Sequence, residues 1–241
     1  MIKRMLHKLF PSVFPTSEYV IAKLKKKGAI IGKGVHIFGV KYCEIDDTRP
    51  WLLSIGDYTV ITQGVIILTH DYSLSTLRRV YNTWIGEGKE TVIGNNCFIG
   101  MNSIILMGTH IGNNVIVGAG SVVHGNVPDN VVIAGNPAKI ICTLQEHFEK
   151  RSKSTIKEVK QCVELYYHRT GRVPSPTEFE GFKFLFARRN KGYLTENGLD
   201  FKCHGDEPNE IEKAFYNSDP IWDGFDELLL ECGIKKEKTE E

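Results

Sequence analysis

Counting from Ile93, every sixth residue is aliphatic: Ile99, Ile105, Ile111, Val117 and Val123 follow in one frame. Gly94, Gly100, Gly112 and Gly118 come directly after four of these positions. The fifth residue of each unit is small or β-branched: Cys97, Ser103, Thr109, Val115 and Ser121. An earlier run, Ile31, Ile37, Ile55, Ile61 and Ile67, also keeps one frame. Cys43 and Arg49 occupy that frame between Ile37 and Ile55, so the repeat lapses over residues 38–54. Ile67 and Ile93 are 26 residues apart, which is not a multiple of six. A loop over residues 69–92 must therefore interrupt the repeat.

A helix would recur near 3.6 residues, so period six is not a helix signal. Short alternating strands with a corner every six residues explain it. Asn95-Asn96 and Asn113-Asn114 suit such corners, because Asn tolerates the left-handed backbone region. Three strands then close a coil of about 18 residues, and successive coils hydrogen-bond about 4.8 Å apart. The middle of the chain would hold about six coils. The competing arrangement is a β-sandwich with Gly-rich turns, but it does not require six aliphatic residues in strict register.

Residues 93–122, IGNNCFIGMNSIILMGTHIGNNVIVGAGSV, resemble the hexapeptide-repeat acyltransferases. Gly135-Asn136-Pro137-Ala138-Lys139 resembles the G-x-P-A-K/R element that closes their coil. The likeness covers roughly residues 28–143 and is nearest to the galactoside, maltose, xenobiotic and capsular-polysaccharide O-acetyltransferases. It implies a mainly β chain built as a left-handed parallel β-helix, assembled as a homotrimer, that uses acetyl-CoA as cosubstrate. The repeat specifies fold more tightly than reaction, because one fold carries many functions.

Charge divides the chain into three parts. Residues 1–29 carry seven Lys/Arg and one Glu, residues 30–143 only 15 charges, and residues 144–241 carry 36. The expected organisation is a basic N-terminal helical segment (1–29), the β-helix domain (30–143) and a C-terminal helical extension (144–241). The formal net charge of +1 argues against nucleic acid as a partner. Pro11 and Pro15 shorten the apolar stretch at the start, which argues against a cleaved secretory signal. The six Cys include no C-x-x-C pair, so a reduced, cytoplasmic setting is expected.

The chemistry is expected at Thr69-His70-Asp71-Tyr72, where the repeat breaks into its loop. Acyl transfer to a hydroxyl needs a base, and imidazole is matched to that task near neutral pH. By resemblance, His70 corresponds to the catalytic His of the sugar and xenobiotic acetyltransferases. The role of Asp71 is less constrained by that likeness. His36, His110 and His124 are explained as corner or edge positions. His110 and His124 are 14 residues apart, which lacks the five-residue His spacing of carbonic anhydrases on this fold, so no metal is expected.

Glu44, Asp46, Asp47 and Arg49 concentrate charge in an otherwise charge-poor prism. Asp46 or Asp47 could orient the imidazole or bind acceptor hydroxyls; a solvated Asp-Asp turn is the alternative. Trp84 would form part of the acceptor wall or pack on its own subunit. The resemblance places coenzyme A along Met101, Gly118 and Ala119, with its adenine and phosphate end near Gly135, Asn136 and Lys139. Lys139 would meet a phosphate or simply be solvated.

Residues 17–27 predict a helix ending at Gly28. The basic segment would cap the prism or make peripheral contact with an anionic inner-membrane surface. Apolar spacing predicts further helices over 144–168, 209–216 and 220–231, with Ser175-Pro176 as an N-cap and first turn. The stripe Phe179, Phe182, Leu185 and Phe186 reads as core. The last residues, KKEKTEE, read as a disordered tail. Together these features predict an O-acetyltransferase of a sugar or polysaccharide precursor, with His70 as general base. An N-acetyltransferase of an amino sugar, a xenobiotic acetyltransferase and a non-catalytic assembly or binding protein are the rivals.

Overall fold

A computed structural model describes residues 15–201 and 207–235. Residues 1–14 of the basic N-terminal segment and nearly all of the KKEKTEE tail lie outside them. The chain divides into two units, residues 1–147 and 148–241.

The first unit opens with α1 (Ser17–Lys26), capped by the Thr16 hydroxyl, which accepts from Tyr19 N at 3.2 Å. Fifteen strands follow, most only two residues long. The first coil holds β1 (Ile30–Ile31), β2 (His36–Ile37) and β3 (Glu44–Ile45); the second holds β4 (Leu53–Ile55), β5 (Val60–Ile61) and β6 (Ile66–Ile67). Within the expected loop lies a helix, α2 (Leu74–Tyr81), with buried Leu74 as its anchor. The third coil holds β7 (Thr91–Ile93), β8 (Phe98–Ile99) and β9 (Ile104–Ile105). The fourth holds β10 (His110–Ile111), β11 (Ile116–Val117) and β12 (Val122–Val123). A partial fifth coil has β13 (Asn126–Val127) and β14 (Val131–Gly135), and β15 (Ala138–Thr143) folds back antiparallel on β14. Every other pairing is parallel and joins a strand to the one three places on. The strands thus form three sheets, β1-β4-β7-β10-β13, β2-β5-β8-β11-β14-β15 and β3-β6-β9-β12.

The aliphatic frame is the interior. Ile31, Ile37, Ile55, Ile61, Ile67, Ile93, Ile99, Ile105, Ile111, Val117 and Val123 are all buried in one core. Each such side chain is worth about 1.5–3 kcal/mol of burial. The lapse at 38–54 is an offset, not a missing side. Ile45 stacks under Ile67 and takes the place that Cys43 would hold in frame. Ile31 and Ile55 are consequently 24 residues apart, with the surplus in two 3-10 turns, Val40–Tyr42 and Pro50–Leu52. This surplus and the loop reduce the expected six coils to four complete ones and two sides of a fifth.

The corner between the first and second sheets is a ladder. Asn96, Asn114 and Asn130 adopt φ of 52°, 57° and 60°, the left-handed region their sequence predicts. Asn96 Nδ2 donates to Asn114 Oδ1 at 2.8 Å, and Asn114 Nδ2 to Asn130 Oδ1 at 2.9 Å. Beside them, Lys33 N donates to Asp57 Oδ1 (2.8 Å), Asp57 N to Asn95 Oδ1 (2.7 Å), Asn95 N to Asn113 Oδ1 (2.9 Å) and Asn113 N to Asp129 Oδ1 (2.7 Å).

The second unit is helical. α3 (Leu144–Thr170) begins in the first unit and runs on through the second, where it buries Val159 and Val163. Ser175 and Glu178 form a capping box on a 3-10 turn over Pro176–Phe182, followed by α4 (Lys183–Phe186), α5 (Lys191–Glu196), α6 (Pro208–Tyr216) and α7 (Phe225–Glu231). The last helix starts five residues later than its apolar pattern predicts. Trp222 enters the core just ahead of it, and Gly224, at φ 107°, turns the chain into α7. Phe179, Phe186, Phe215, Trp222 and Phe225 share that core. Arg189 crosses it, with its guanidinium 4.0 Å from the Phe215 ring centre and donating to the carbonyls of Phe184 and Ser218 at 2.6 and 2.9 Å. The aromatic stripe is therefore packing.

Candidate active site

The β3–β6 register builds the site. Asp46 follows β3, and its amide donates to Ile67 O at 3.0 Å, which sets it against the end of β6. His70 is three residues past that strand end. Its Nδ1 lies 2.5 Å from Asp46 Oδ2, with side-chain exposures of 10% and 4% respectively. Asp46 Oδ2 also accepts from the Thr69 hydroxyl and, at 3.3 Å, from Thr69 N. Asp46 Oδ1 accepts from Thr48 N at 3.0 Å and from the Thr48 hydroxyl at 2.7 Å. Burial pushes the Asp46 carboxyl up, but the hydrogen bonds from Thr69, Thr48 and His70 outweigh it and hold the group well below the usual carboxylate range. An ionised Asp46 can only accept, so Nδ1 of His70 donates and the neutral ring carries its free lone pair on Nε2.

The remaining candidates separate by place. Asp47 turns to α1, where Lys23 Nζ lies at 2.5 Å and Lys27 Nζ at 3.2 Å from Oδ2. The hydrogen bond from Lys23 leads in lowering its carboxyl pKa. The structure thus does not bring Asp47 to the imidazole, and Lys23 of α1 and Lys27 at its C-cap serve as its ion-pair partners. Asp71 accepts from Ser73 N (2.7 Å) and Ser73 Oγ (2.9 Å), a local turn at the start of α2. Tyr72 packs edge-on to the His70 ring, with centroids 4.6 Å apart. Trp84 is 85% exposed, with the Arg78 guanidinium 4.6 Å from its ring centre.

Arg49 Nη1 donates to Glu87 O, and Lys89 N donates to Thr69 O at 3.1 Å, so the loop returns to the residue beside His70. A Cβ on Gly88 would come within 2.7 Å of Arg49 Nη1, so a side chain there would push the guanidinium aside. Thr69 belongs to the expected motif, but nothing in the sequence assigned it the role of donor to Asp46, and Thr48 was not singled out. The Asp-x-Thr spacing of an Asx turn was the available signal for Thr48.

Met101 and Ala119 lie on the next corner, between the second and third sheets. Both are exposed, and Gly120 N donates to Met101 O at 2.8 Å, stacking the two tiers. Gly118 lies beside Ala119, where an added Cβ would meet Ala134 Cβ at 2.8 Å. Asn136 and Lys139 are exposed on the β14–β15 hairpin, which contains a cis Asn136-Pro137 bond. Within one chain the third sheet separates this corner from His70. Among the described residues, no group of three or more His, Cys, Asp or Glu is placed to hold a metal ion. None of their helices is long and apolar enough to cross a membrane.

A family model described as the hexapeptide repeat of succinyl-transferase matches residues 90–124. The chain is 44% identical over 128 residues to Protein CapG of Staphylococcus aureus, covering 53% of this chain and 73% of that protein. It is 31% identical over 115 residues to galactoside O-acetyltransferase of Escherichia coli (strain K12), covering 46% of this chain and 54% of the relative, about half its length. A solved galactoside acetyltransferase in complex with coenzyme A aligns with 26% identity and a TM-score of 0.39, over 61% of this chain and 81% of that one.

Proposed function

The chain belongs to the hexapeptide-repeat acetyltransferase family, and from that premise we propose that it transfers an acetyl group from acetyl-CoA to a hydroxyl of a sugar or polysaccharide precursor. The observation that carries this reading is the His70–Asp46 contact. Asp46 fixes the ring so that Nε2 faces the reaction as base. Nε2 takes the proton from the acceptor hydroxyl as its oxygen bonds to the acetyl carbon. The carbon–sulfur bond breaks, and the proton passes from Nε2 to the departing thiolate. Asp46 stabilises the positive ring in between, and the chain forms no covalent intermediate.

The exposed corner of Met101, Ala119, Gly120 and Gly135 suits a cosubstrate that approaches main-chain groups closely. An added Cβ would meet nothing within 4 Å at Gly120. Asn136 and Lys139 would hold its phosphate end. In this reading the chain forms a left-handed β-helix and a homotrimer, in which one subunit's His70 faces its neighbour's corner. The outward side chains Val60, Phe98 and Ile116 of the second sheet and Ile66, Ile104 and Val122 of the third support such an assembly. The basic N-terminal segment reads as a cap on the prism, and the chain is expected in the cytoplasm.

The test is thiol release from acetyl-CoA with a panel of sugars, nucleotide sugars, amino sugars and small alcohols, alongside His70→Ala. Release that needs both an acceptor hydroxyl and His70 is expected. Undiminished release by His70→Ala removes the base, and release only with amines overturns the O-transfer reading.

A further inference from the structure

The loop that closes beside His70 carries charge and aromatic surface that its own packing does not consume. Asp71 is tied to Ser73, and Glu87 is paired with Lys89 at 3.1 Å. Arg78 and Arg79 have no carboxylate partner among the described residues. Arg78 lies against one face of Trp84, and the 85% exposure of that side chain leaves the rest of the ring to solvent. Tyr81 on α2 is 68% exposed, one turn before Trp84. The platform is not a free tail. Both ends of the loop are held at the site, by the Tyr72–His70 ring contact on one side and by Lys89 N to Thr69 O and Arg49 to Glu87 O on the other.

An indole face stacks on the apolar face of a pyranose ring, as aromatic side chains take up flat amphipathic surfaces. A guanidinium beside it supplies a planar donor pair for a carboxylate. The geometry points to Arg78 and Trp84 as a subsite for an acidic glycan, with the carboxylate of a sugar neighbouring the acetylated one held by the Arg78 guanidinium. This rests on the transferase reading above and narrows its acceptor to a carboxylate-bearing saccharide. A neutral sugar would use the Trp84 face alone.

The experiment separates the subsite from the reaction by using full-length His70→Ala protein, in which turnover is silenced. Tetragalacturonate and its carboxyl-reduced neutral counterpart are titrated by calorimetry in 20 and 200 mM NaCl. The acidic oligosaccharide is expected to bind at least about tenfold more tightly, as one charge-assisted pair would give. That preference should shrink at the higher salt. It should vanish when R78Q is added, while W84A weakens both ligands. Melting curves of each variant confirm that it folds.

Equal binding of the two oligosaccharides, binding of neither, or an acidic preference that survives R78Q overturns the subsite. Acetyl-CoA turnover by the wild-type chain is read in parallel. If it persists with a neutral acceptor, the transferase stands without the acidic subsite. If acetyl-CoA is neither bound nor turned over, the transferase reading fails on its own account, whatever the glycan result.

Discussion

Asp46 Oδ2 lies 2.5 Å from His70 Nδ1, and the two residues are 24 apart in sequence because one elongated coil separates them. The carboxylate is locked by two threonines before it reaches the ring, so the imidazole meets an acceptor that is already in place. Asp46→Asn keeps the shape but removes the anion. Its kcat should fall by roughly 10² to 10⁴, with KM for acetyl-CoA little changed. Initial rates of thiol release check this, and a loss confined to KM would contradict it.

The threonine clamp has its own signature. Thr69→Val and Thr48→Val each remove a hydroxyl donor from Asp46, and one buried donor to a charged group is worth about 1.5–3 kcal/mol. Each variant should lose activity in kcat, and Thr69→Ser, which restores the hydroxyl, should recover most of it. Recovery by Ser but not by Ala marks a positioning role, which a packing defect would not reproduce.

Acid should act on Asp46 in a definite direction. Its folded-state pKa is depressed, so its stabilising contribution is fully present above the ordinary carboxylate range near pH 4. That contribution is lost as pH falls below this range towards the lower folded value. The melting-temperature gap between wild type and Asp46→Asn should therefore be widest above about pH 5 and shrink below pH 4. A constant gap from pH 7 to pH 2 would contradict the linkage.

The corner ladder and the core make separate demands. Asn114 sits at φ 57° with its amide between Asn96 and Asn130. Asn114→Ala should cost more than Asn114→Gly, by about 1 kcal/mol, because glycine accepts the backbone that alanine resists. Ile99→Ala, at the middle of the stack, should cost about 2–5 kcal/mol. Urea unfolding of the three variants ranks them.

A shared site can be tested by complementation. His70→Ala subunits and Ala119→Trp subunits should each be inactive. If one subunit's His70 works at its neighbour's corner, randomly mixed trimers recover about a quarter of the wild-type sites, since each interface needs one subunit of each kind in the right order. Co-refolded mixtures give the readout; no recovery would place the whole site within one chain.

Much of this structure is legible in the sequence because a hexapeptide frame leaves its aliphatic residues no other place to go. Ile93 through Val123 read directly as the interior. The first coil was harder to read: its two extra turns shift Ile45 out of frame, so a missing side and an offset side look alike until strand pairing separates them. The same pairing separates Asp46 from Asp47. Adjacent residues leaving a strand point in opposite directions, so one meets His70 and the other meets α1. No spacing rule resolves that choice without the register. Helix α2 was missed because its apolar residues, apart from Leu74, are not buried within the chain, so its pattern lacks a core to answer to.

The three edges of this prism do not share the burden equally. Between the first and second sheets each of the four complete coils turns in four residues, at 32–35, 56–59, 94–97 and 112–115, and the Asn and Asp ladder runs down this edge. All the surplus chain leaves from the other two edges, at 38–43, 46–52 and 68–90. One edge thus acts as a ruler that restores the count after each detour, so the other two can gain or lose residues without shifting the tiers beyond. New specificity can be written into such a molecule by lengthening a loop, with no renegotiation of the core. Engineered insertions should be tolerated at 82–87 and rejected at 94–97.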